Sequence, residues 1–369
     1  MIEAVLTVIF GLAFCIAALG GVAYFWRAYY DRGTDQNETS YVRTSDGWKL
    51  AIHRYRPQQP PQGFPVILCH GLSANRYVFD MPGGPSLARY LRDHGRDVWV
   101  AELRGSGMSE RPGLLISDVS LSWTFEDHLQ YDVPAVIRHV LEQTGATGVH
   151  WIGHSMGGML IIAYLAATPT PPLISAIAVG SPVDFSKLPE GLATLAHCER
   201  LFKPFPVFPL TILAKILVPV VHRIPPQFTR MFYAPNMSPF VARATLAVGT
   251  EILASNALWL DFGRFVRTGW RRVEDGREYR EKLGSSRVPV LCVAGAADHL
   301  VGVEAVLAAC NGQAASERRS RVFGKAWGEQ EDYGHVDLLV GKNAETEVFP
   351  ELLRWLQEHD HVPHGLGQG

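Results

Sequence analysis

The chain has no excess of either charge. Its 369 residues carry 34 Lys and Arg against 36 Asp and Glu, a formal net charge of -2. Without a strong bulk field, nothing draws it to nucleic acid or to an acidic surface. Cysteine is also scarce, with Cys15, Cys69, Cys198, Cys292 and Cys310 only. No pair forms a CxxC and no His-rich segment accompanies them, a spacing that disfavours a zinc site. The odd count, with Cys69 and Cys292 inside apolar strand-like runs, reads as reduced buried thiols and not as a disulfide frame. There is no internal repeat and no low-complexity run. What is left is an ordinary globular composition, 47% hydrophobic and 19% charged, long enough for a sizeable core. Function must be read from local features.

The first local feature is again an absence. From Ala4 to Trp26 no residue is charged. At about 1.5 Å per residue, a helix over this run is long enough for a hydrocarbon core of about 30 Å. A cleaved signal peptide carries a basic start and a shorter apolar core, whereas this segment begins with Glu3 and holds no Lys or Arg before Arg27. Residues 1–30 are therefore expected to form a retained transmembrane anchor, with Tyr24, Trp26, Tyr29 and Tyr30 as an interfacial belt. Arg27 and Arg32 follow the run, which places the body on the cytoplasmic side by the positive-inside tendency. Even hydrophobicity all round disfavours the other reading, a buried core helix. Residues 31–42 are polar and read as a linker.

Beyond the linker the pattern alternates. Asp46-Gly47 leads into WKLAIHRY as a hairpin signal. PVILC (65–69), DVWVA (97–101), 149–152, 174–179 and 288–294 read as strands, the first a continuous apolar run as expected of a strand buried on both faces. Residues 321–323 are a further strand candidate. Residues 84–94, 125–143, 156–167 and 348–359 read as helices, and Pro134 predicts a kink or a helix start. Alternation of this kind predicts an α/β fold, a mostly parallel sheet with helices on both faces. The core would comprise 43–184 and 285–360, with a short tail at 361–369. Residues 185–284 break the pattern. They are rich in proline and large apolar residues, among them Phe202, Phe228, Trp259, Phe262 and Trp270. Lying between two strands, they read as an inserted helical cap.

The strongest chemical signal is Gly153-His154-Ser155-Met156-Gly157, set between a strand run and a helix run. A sharp strand-to-helix turn crowds the backbone, and residues without a Cβ relieve the crowding. Such a turn pushes the Ser155 hydroxyl out at the carboxyl end of the strand, beside free N–H groups of a helix N-terminus. The bland reading is a βα turn in which Ser155 only caps the helix. A serine nucleophile needs a base. His335, in Asp332-Tyr333-Gly334-His335, sits in a loop beyond the last strand and is the candidate; otherwise it is an exposed loop histidine. The base needs a carboxylate to fix its tautomer. Asp298, just past the strand 288–294, is the candidate, and Asp184, after an earlier strand, its rival; either could instead be a helix N-cap. Chain order Ser155, Asp298, His335 is the order expected of this fold. Two donors for a developing oxyanion would be the N–H of Met156 and that of Leu72, in the turn His70-Gly71-Leu72-Ser73, unless that stretch is merely a tight turn.

HGLSANRYVFD, DVWVAELRGSGMS, HWIGHSMGG, AGAADHLV and DYGHVDLL resemble successive signatures of the α/β-hydrolases. YVRTSDGWKLAIHRYRP and FEDHLQYDVPAVIRHVLEQTGATGVHWIGHS resemble the acid-lipase and esterase branch. The likeness covers 41–182 well and 286–360 moderately. It implies hydrolysis of carboxylic esters, lipid-like or with apolar acyl groups, through an acyl-enzyme on Ser155, with no metal or cofactor. It also implies that Ser155, Asp298 and His335 form the triad. The secreted lipases of that branch carry a cleaved signal, from which this N-terminus departs. Polyhydroxyalkanoate synthases resemble the chain too, in the sheet and a YDVPAVI-like helix, but use Cys where Ser155 stands. An acyltransferase with the same triad is the alternative implied by that likeness.

Overall fold

The computed structural model describes residues 2–112, 120, 122–189, 215–224, 230–251, 255–281, 283–311 and 316–360, with side chains in the first helix described only at positions 7, 10, 11, 14 and from 17 on. Helix α1 (Ile2–Tyr30) leads to a hairpin of β1 (Glu38–Arg43) and β2 (Lys49–Tyr55). Then follow β3 (Val66–Cys69), α2 (Leu87–Asp93), β4 (Val98–Ala101), α3 (Phe125–Asp127), α4 (Val133–Thr144), β5 (Val149–His154), α5 (Met156–Ala167) and β6 (Leu173–Val179). Helices α6 (Pro239–Ala247) and α7 (Asn256–Thr268) precede β7 (Val290–Gly295), α8 (Val303–Leu307), β8 (Arg318–Phe323), α9 (Asp337–Val340) and α10 (Ala344–His359).

The strands order as β1-β2-β4-β3-β5-β6-β7-β8. The hairpin is antiparallel and pairs antiparallel with β4, while every later pair is parallel. Side chains alternate across the pleat. Val66 and Leu68 of β3 join one apolar layer with α2, α6 and α10. Ile67 and Cys69 join the other, with α4, α5 and α7. The strands are buried on both faces, so their sequences read as continuous apolar runs. A π-helical turn, His128–Asp132, joins α3 to α4, with the Val133 N–H bonded to the His128 carbonyl. Pro134 causes this: it has no N–H to continue the α-helical ladder, and the chain widens by one residue to start α4.

Three expectations change. The stretch read as a linker, 31–42, supplies most of β1, because Glu38–Arg43 pairs in register with Lys49–Arg54 across the Asp46-Gly47 turn. Cys292 and Cys310 form a disulfide, so the reading of reduced thiols fails for that pair. Parallel β7 and the chain after α8 bring them together, a proximity no local spacing signals; Cys69 remains a buried free thiol. Among the described residues no helix is long and apolar enough to cross a membrane. The transmembrane anchor expected over 1–30 is therefore unsupported. Many of the side chains on which it rested lie outside the described residues, and the last turns of α1 dock on the body, with Ala23 and Tyr30 buried and the Tyr30 ring 5.3 Å from that of Phe240.

The segment between β6 and β7 reaches both layers, α6 packing with one and α7 with the other. Its middle meets the core beside the loop after β3, where Ala74 and Thr250 form a single bridge. Asn75 Nδ2 donates to Glu251 Oε1 at 2.6 Å and to the Val248 carbonyl at 2.8 Å.

Candidate active site

Ser155 lies in the turn from β5 into α5 with φ 53° and ψ −119°. A non-glycine residue there stores backbone strain, about 1–3 kcal/mol. The glycines around it are demanded by space. A Cβ on Gly153 would lie 2.3 Å from the Gly157 backbone, and one on Gly157 would lie 2.2 Å from the Cys69 carbonyl. The Ser155 N–H donates to the Val179 carbonyl at 2.8 Å. Its hydroxyl makes no hydrogen bond among the described residues. The helix-capping reading is therefore not what the structure shows, since Ser155 makes no side-chain cap bond.

The loop after β3 closes over this turn. A Cβ on Gly71 would stand 2.7 Å from the Ser155 Cβ and 3.3 Å from its Oγ. His70 fixes the loop from below. Its Nε2 accepts the Leu103 N–H at 3.1 Å, so Nδ1 carries the proton and donates to the Gly71 carbonyl at 2.8 Å. Burial keeps this ring neutral by holding its pKa below the ordinary value. The N–H groups of Leu72 and Met156 make no hydrogen bond among the described residues. Ser73 follows with φ 52°, a second strained non-glycine residue.

Asp298 sits beyond the end of β7. Its Oδ1 accepts the N–H groups of Leu300 and Val301, both at 3.0 Å, and its Oδ2 faces His335 Nδ1 at 2.9 Å. A carboxylate only accepts, so Nδ1 is the donor and Nε2 is left with its lone pair. Burial opposes ionisation of Asp298, but the His335 ring and the two N–H groups outweigh it and hold the carboxyl below its usual value. Gly180, with φ 58°, leaves room for the ring: a Cβ there would lie 3.2 Å from Nδ1. His154, next to Ser155, has its ring tilted 52° to the His335 ring at 4.8 Å, and its Nε2 donates to the His335 carbonyl at 3.1 Å. Burial first, and then repulsion from His335, push His154 down to about 3, so it stays neutral.

The structure thus brings Ser155, His335, Asp298, Leu72 and Met156 to the carboxyl edge of one sheet. Asp184 is elsewhere engaged. It caps the turn Phe185–Lys187, accepting the Ser186 N–H at 3.1 Å and hydroxyl at 2.6 Å. His150 is tied to Ser175 and Asp360, and His197, His361 and His364 lie outside the described residues. Sequence reasoning noted His70 and His154 only as members of their motifs; that both hold backbone of the site shows only once β3 and β5 are adjacent. It missed the buried ions below the site. Glu102 accepts from His53 at 3.0 Å, Arg76 at 3.2 Å and the Met108 N–H at 2.6 Å. Arg104 spans Asp132 and Asp46, each at 2.7 Å. Together they fix the loop after β4. Their signal was present in ELRG and YDVP, but no spacing rule pairs them.

Residues 65–196 match the family described as alpha/beta hydrolase fold. The chain is 41% identical over 125 residues to Lipase 1 of Drosophila melanogaster, covering 33% of this chain and 28% of that protein. It is 29% identical over 236 residues to gastric triacylglycerol lipase of Bos taurus, covering 60% of this chain and 54% of the lipase. The match thus spans about half of one relative and less of the other. Among solved structures, an esterase from Exiguobacterium antarcticum superimposes with a TM-score of 0.56 at 17% identity, over 87% of this chain and all of that one (100%). That likeness speaks to fold. With the strained serine turn and the order of the sheet, these matches show an α/β-hydrolase fold whose sequence relatives include lipases.

Proposed function

We propose that this protein hydrolyses carboxylic esters through an acyl-enzyme on Ser155. The observation that carries the reading is the His335–Asp298 hydrogen bond of 2.9 Å at the edge where Ser155 sits strained, its hydroxyl without a hydrogen bond among the described residues. In this reading Ser155 Oγ attacks the ester carbonyl and its proton passes to His335 Nε2. The Leu72 and Met156 N–H groups receive the oxyanion. His335 protonates the departing alcohol, and a water activated by the same nitrogen releases the acid. Asp298 holds the tautomer and stabilises the imidazolium.

Apolar acyl groups suit the surroundings. Met156 and Leu72 belong to an apolar cluster that runs into Phe185 and, from the inserted segment, Leu258 and Phe262. The ring of Phe185 lies 6.2 Å from that of Phe262. The test uses a fluorophosphonate probe and p-nitrophenyl esters of increasing chain length. Labelling of wild type but not of Ser155→Ala, with turnover rising toward medium or long acyl chains, is the expected result. Absence of labelling on folded wild-type protein would overturn the reading.

Location belongs to the same proposal. Phe10, Phe14, Tyr24 and Phe25 of α1 are more than half exposed, which supports contact with a lipid surface. The Cys292–Cys310 disulfide supports an oxidising compartment for the body, opposite to the cytoplasmic side that Arg27 and Arg32 suggest. Fractionation and protease protection of the full chain separate these outcomes.

A further inference from the structure

The proposed general base is held from a side that the triad does not explain. Asp337, two residues past His335, is fully buried. Its Oδ2 accepts the Gly334 N–H at 2.9 Å and the Asn236 Nδ2 at 3.2 Å, and its Oδ1 accepts the Tyr233 N–H at 3.1 Å. A bond to Gly334 alone would be an ordinary local turn. Tyr233 and Asn236 lie about a hundred residues earlier, in the segment inserted between β6 and β7. Two main-chain bonds run beside them, from the Val336 N–H to the Met231 carbonyl at 2.9 Å and from the Lys342 N–H to the Asn236 carbonyl at 2.8 Å. The fit is close: a Cβ on Gly334 would lie 2.6 Å from the Tyr233 nitrogen.

We propose that Asp337 is a positioning residue for His335, its carboxylate stitching the cap segment 231–237 to the loop that carries the ring. The proposal rests on the reading of His335 as the base. A carboxylate so placed is costly. Burial pushes it up to about 7 against the N–H groups of Gly334 and Tyr233 and the Asn236 amide, which pull it down. A hydrophobic residue could fill the same space at less cost, but it could not accept three donors on two elements at once. Through these bonds a shift of the cap moves the backbone on both sides of His335.

The test compares Asp337→Asn, Asn236→Ala and the exchange Asn236→Asp/Asp337→Asn, with active sites titrated by fluorophosphonate so that only competent protein is counted. Asn at 337 keeps an acceptor for one side and turns an N–H toward the other. It is expected to lower kcat about tenfold to a hundredfold with KM changed less than about threefold, and to slow fluorophosphonate labelling in step. Asn236→Ala, on the cap, should do the same more weakly. The exchange restores one amide–carboxylate pair and should recover part of the loss. Wild-type kcat per titrated site in Asp337→Asn and Asn236→Ala, with only a lower Tm, would overturn the proposal and leave a purely structural role. Wild-type protein that fails to label at all would instead sink the esterase reading, so the two failures are distinct.

Discussion

Asp298 grips two backbone N–H groups with one carboxylate oxygen and the His335 ring with the other, at 3.0 Å and 2.9 Å respectively. The division matters chemically. Oδ1 is fixed by Leu300 and Val301, so Oδ2 cannot swing away from the ring, and the ring cannot flip without losing its partner. Asp298→Asn presents either an oxygen or an amide to Nδ1. With its own N–H toward the ring, it selects the tautomer that has the proton on Nε2, where it blocks attack by Ser155. The expected outcome is a fall in kcat of about 10⁴-fold with KM nearly constant. Steady-state kinetics on a soluble p-nitrophenyl ester check this. A fall below tenfold would show that Asp298 is not the orienting acid.

Gly71→Ala tests the close approach of the loop after β3 to the serine. The added methyl would stand 2.7 Å from the Ser155 Cβ and 3.2 Å from the His154 carbonyl. Neither neighbour is a flexible side-chain end, so the loop must lift. Overpacking of this kind costs roughly 1–3 kcal/mol, and the lift moves the Leu72 N–H away from any oxyanion. Loss of activity by at least about a hundredfold, the scale of one missing oxyanion donor, with protein that still melts cooperatively, is the expected result. Circular dichroism melts together with ester assays on the same sample decide it; retained activity would remove Leu72 from the oxyanion site.

The sequence carried the sheet well because buried parallel strands are short apolar runs, as β3 and β6 show, and because the GHSMG turn has a steric reason for its glycines. Ser155 and Asp298 lie just past strands and His335 in the loop beyond the last one, which is why sequence alone could nominate them as candidates. It did not carry β1, where Glu38–Arg43 is mostly polar; the strand pairs along its whole length with β2. It did not carry the Cys292–Cys310 contact, the Glu102 and Arg104 ion networks or the Asp337 stitch. All of these join segments far apart in the chain, and pairing across such distances is a property of topology, which local spacing does not encode.

Acid should weaken the fold through Glu102. Burial alone would raise its pKa, but His53, Arg76 and the Met108 N–H reverse that and bring it down to about 2 from 4.5. A folded-state pKa below the unfolded one means that the unfolded chain binds the proton first. The stabilisation is full above about pH 4.5 and is lost as pH falls toward 2. Its size is on the order of 2–3 kcal/mol. Urea unfolding at pH 7 and pH 3 should show a drop of that order that shrinks in Glu102→Gln, a variant already destabilised at pH 7 because Arg76 is left buried without its counter-charge. An unchanged pH slope in the variant would contradict this.

The Cys292–Cys310 disulfide closes a loop with a sequence separation of 18, and that loop contains Asp298. By loop closure alone such a bond is worth about 3 kcal/mol, which for a chain of this size corresponds to a Tm shift of roughly 4 °C. The same loop aims the carboxylate: β7 ends at Gly295, Asp298 follows in the turn, and α8 returns toward Cys310. Reduction, or Cys310→Ser, is therefore expected to lower Tm by that amount and to reduce kcat at temperatures where the fold survives, since a looser return path lets Asp298 drift from His335. Cys69→Ser serves as the control, because Cys69 lies in β3 on no such loop, and its variant should respond to reductant as wild type does. Alkylation and mass measurement of the denatured, unreduced protein give the direct check. Modification of both Cys292 and Cys310 without reductant would show that the bond is absent, and with it would go the argument for an oxidising compartment.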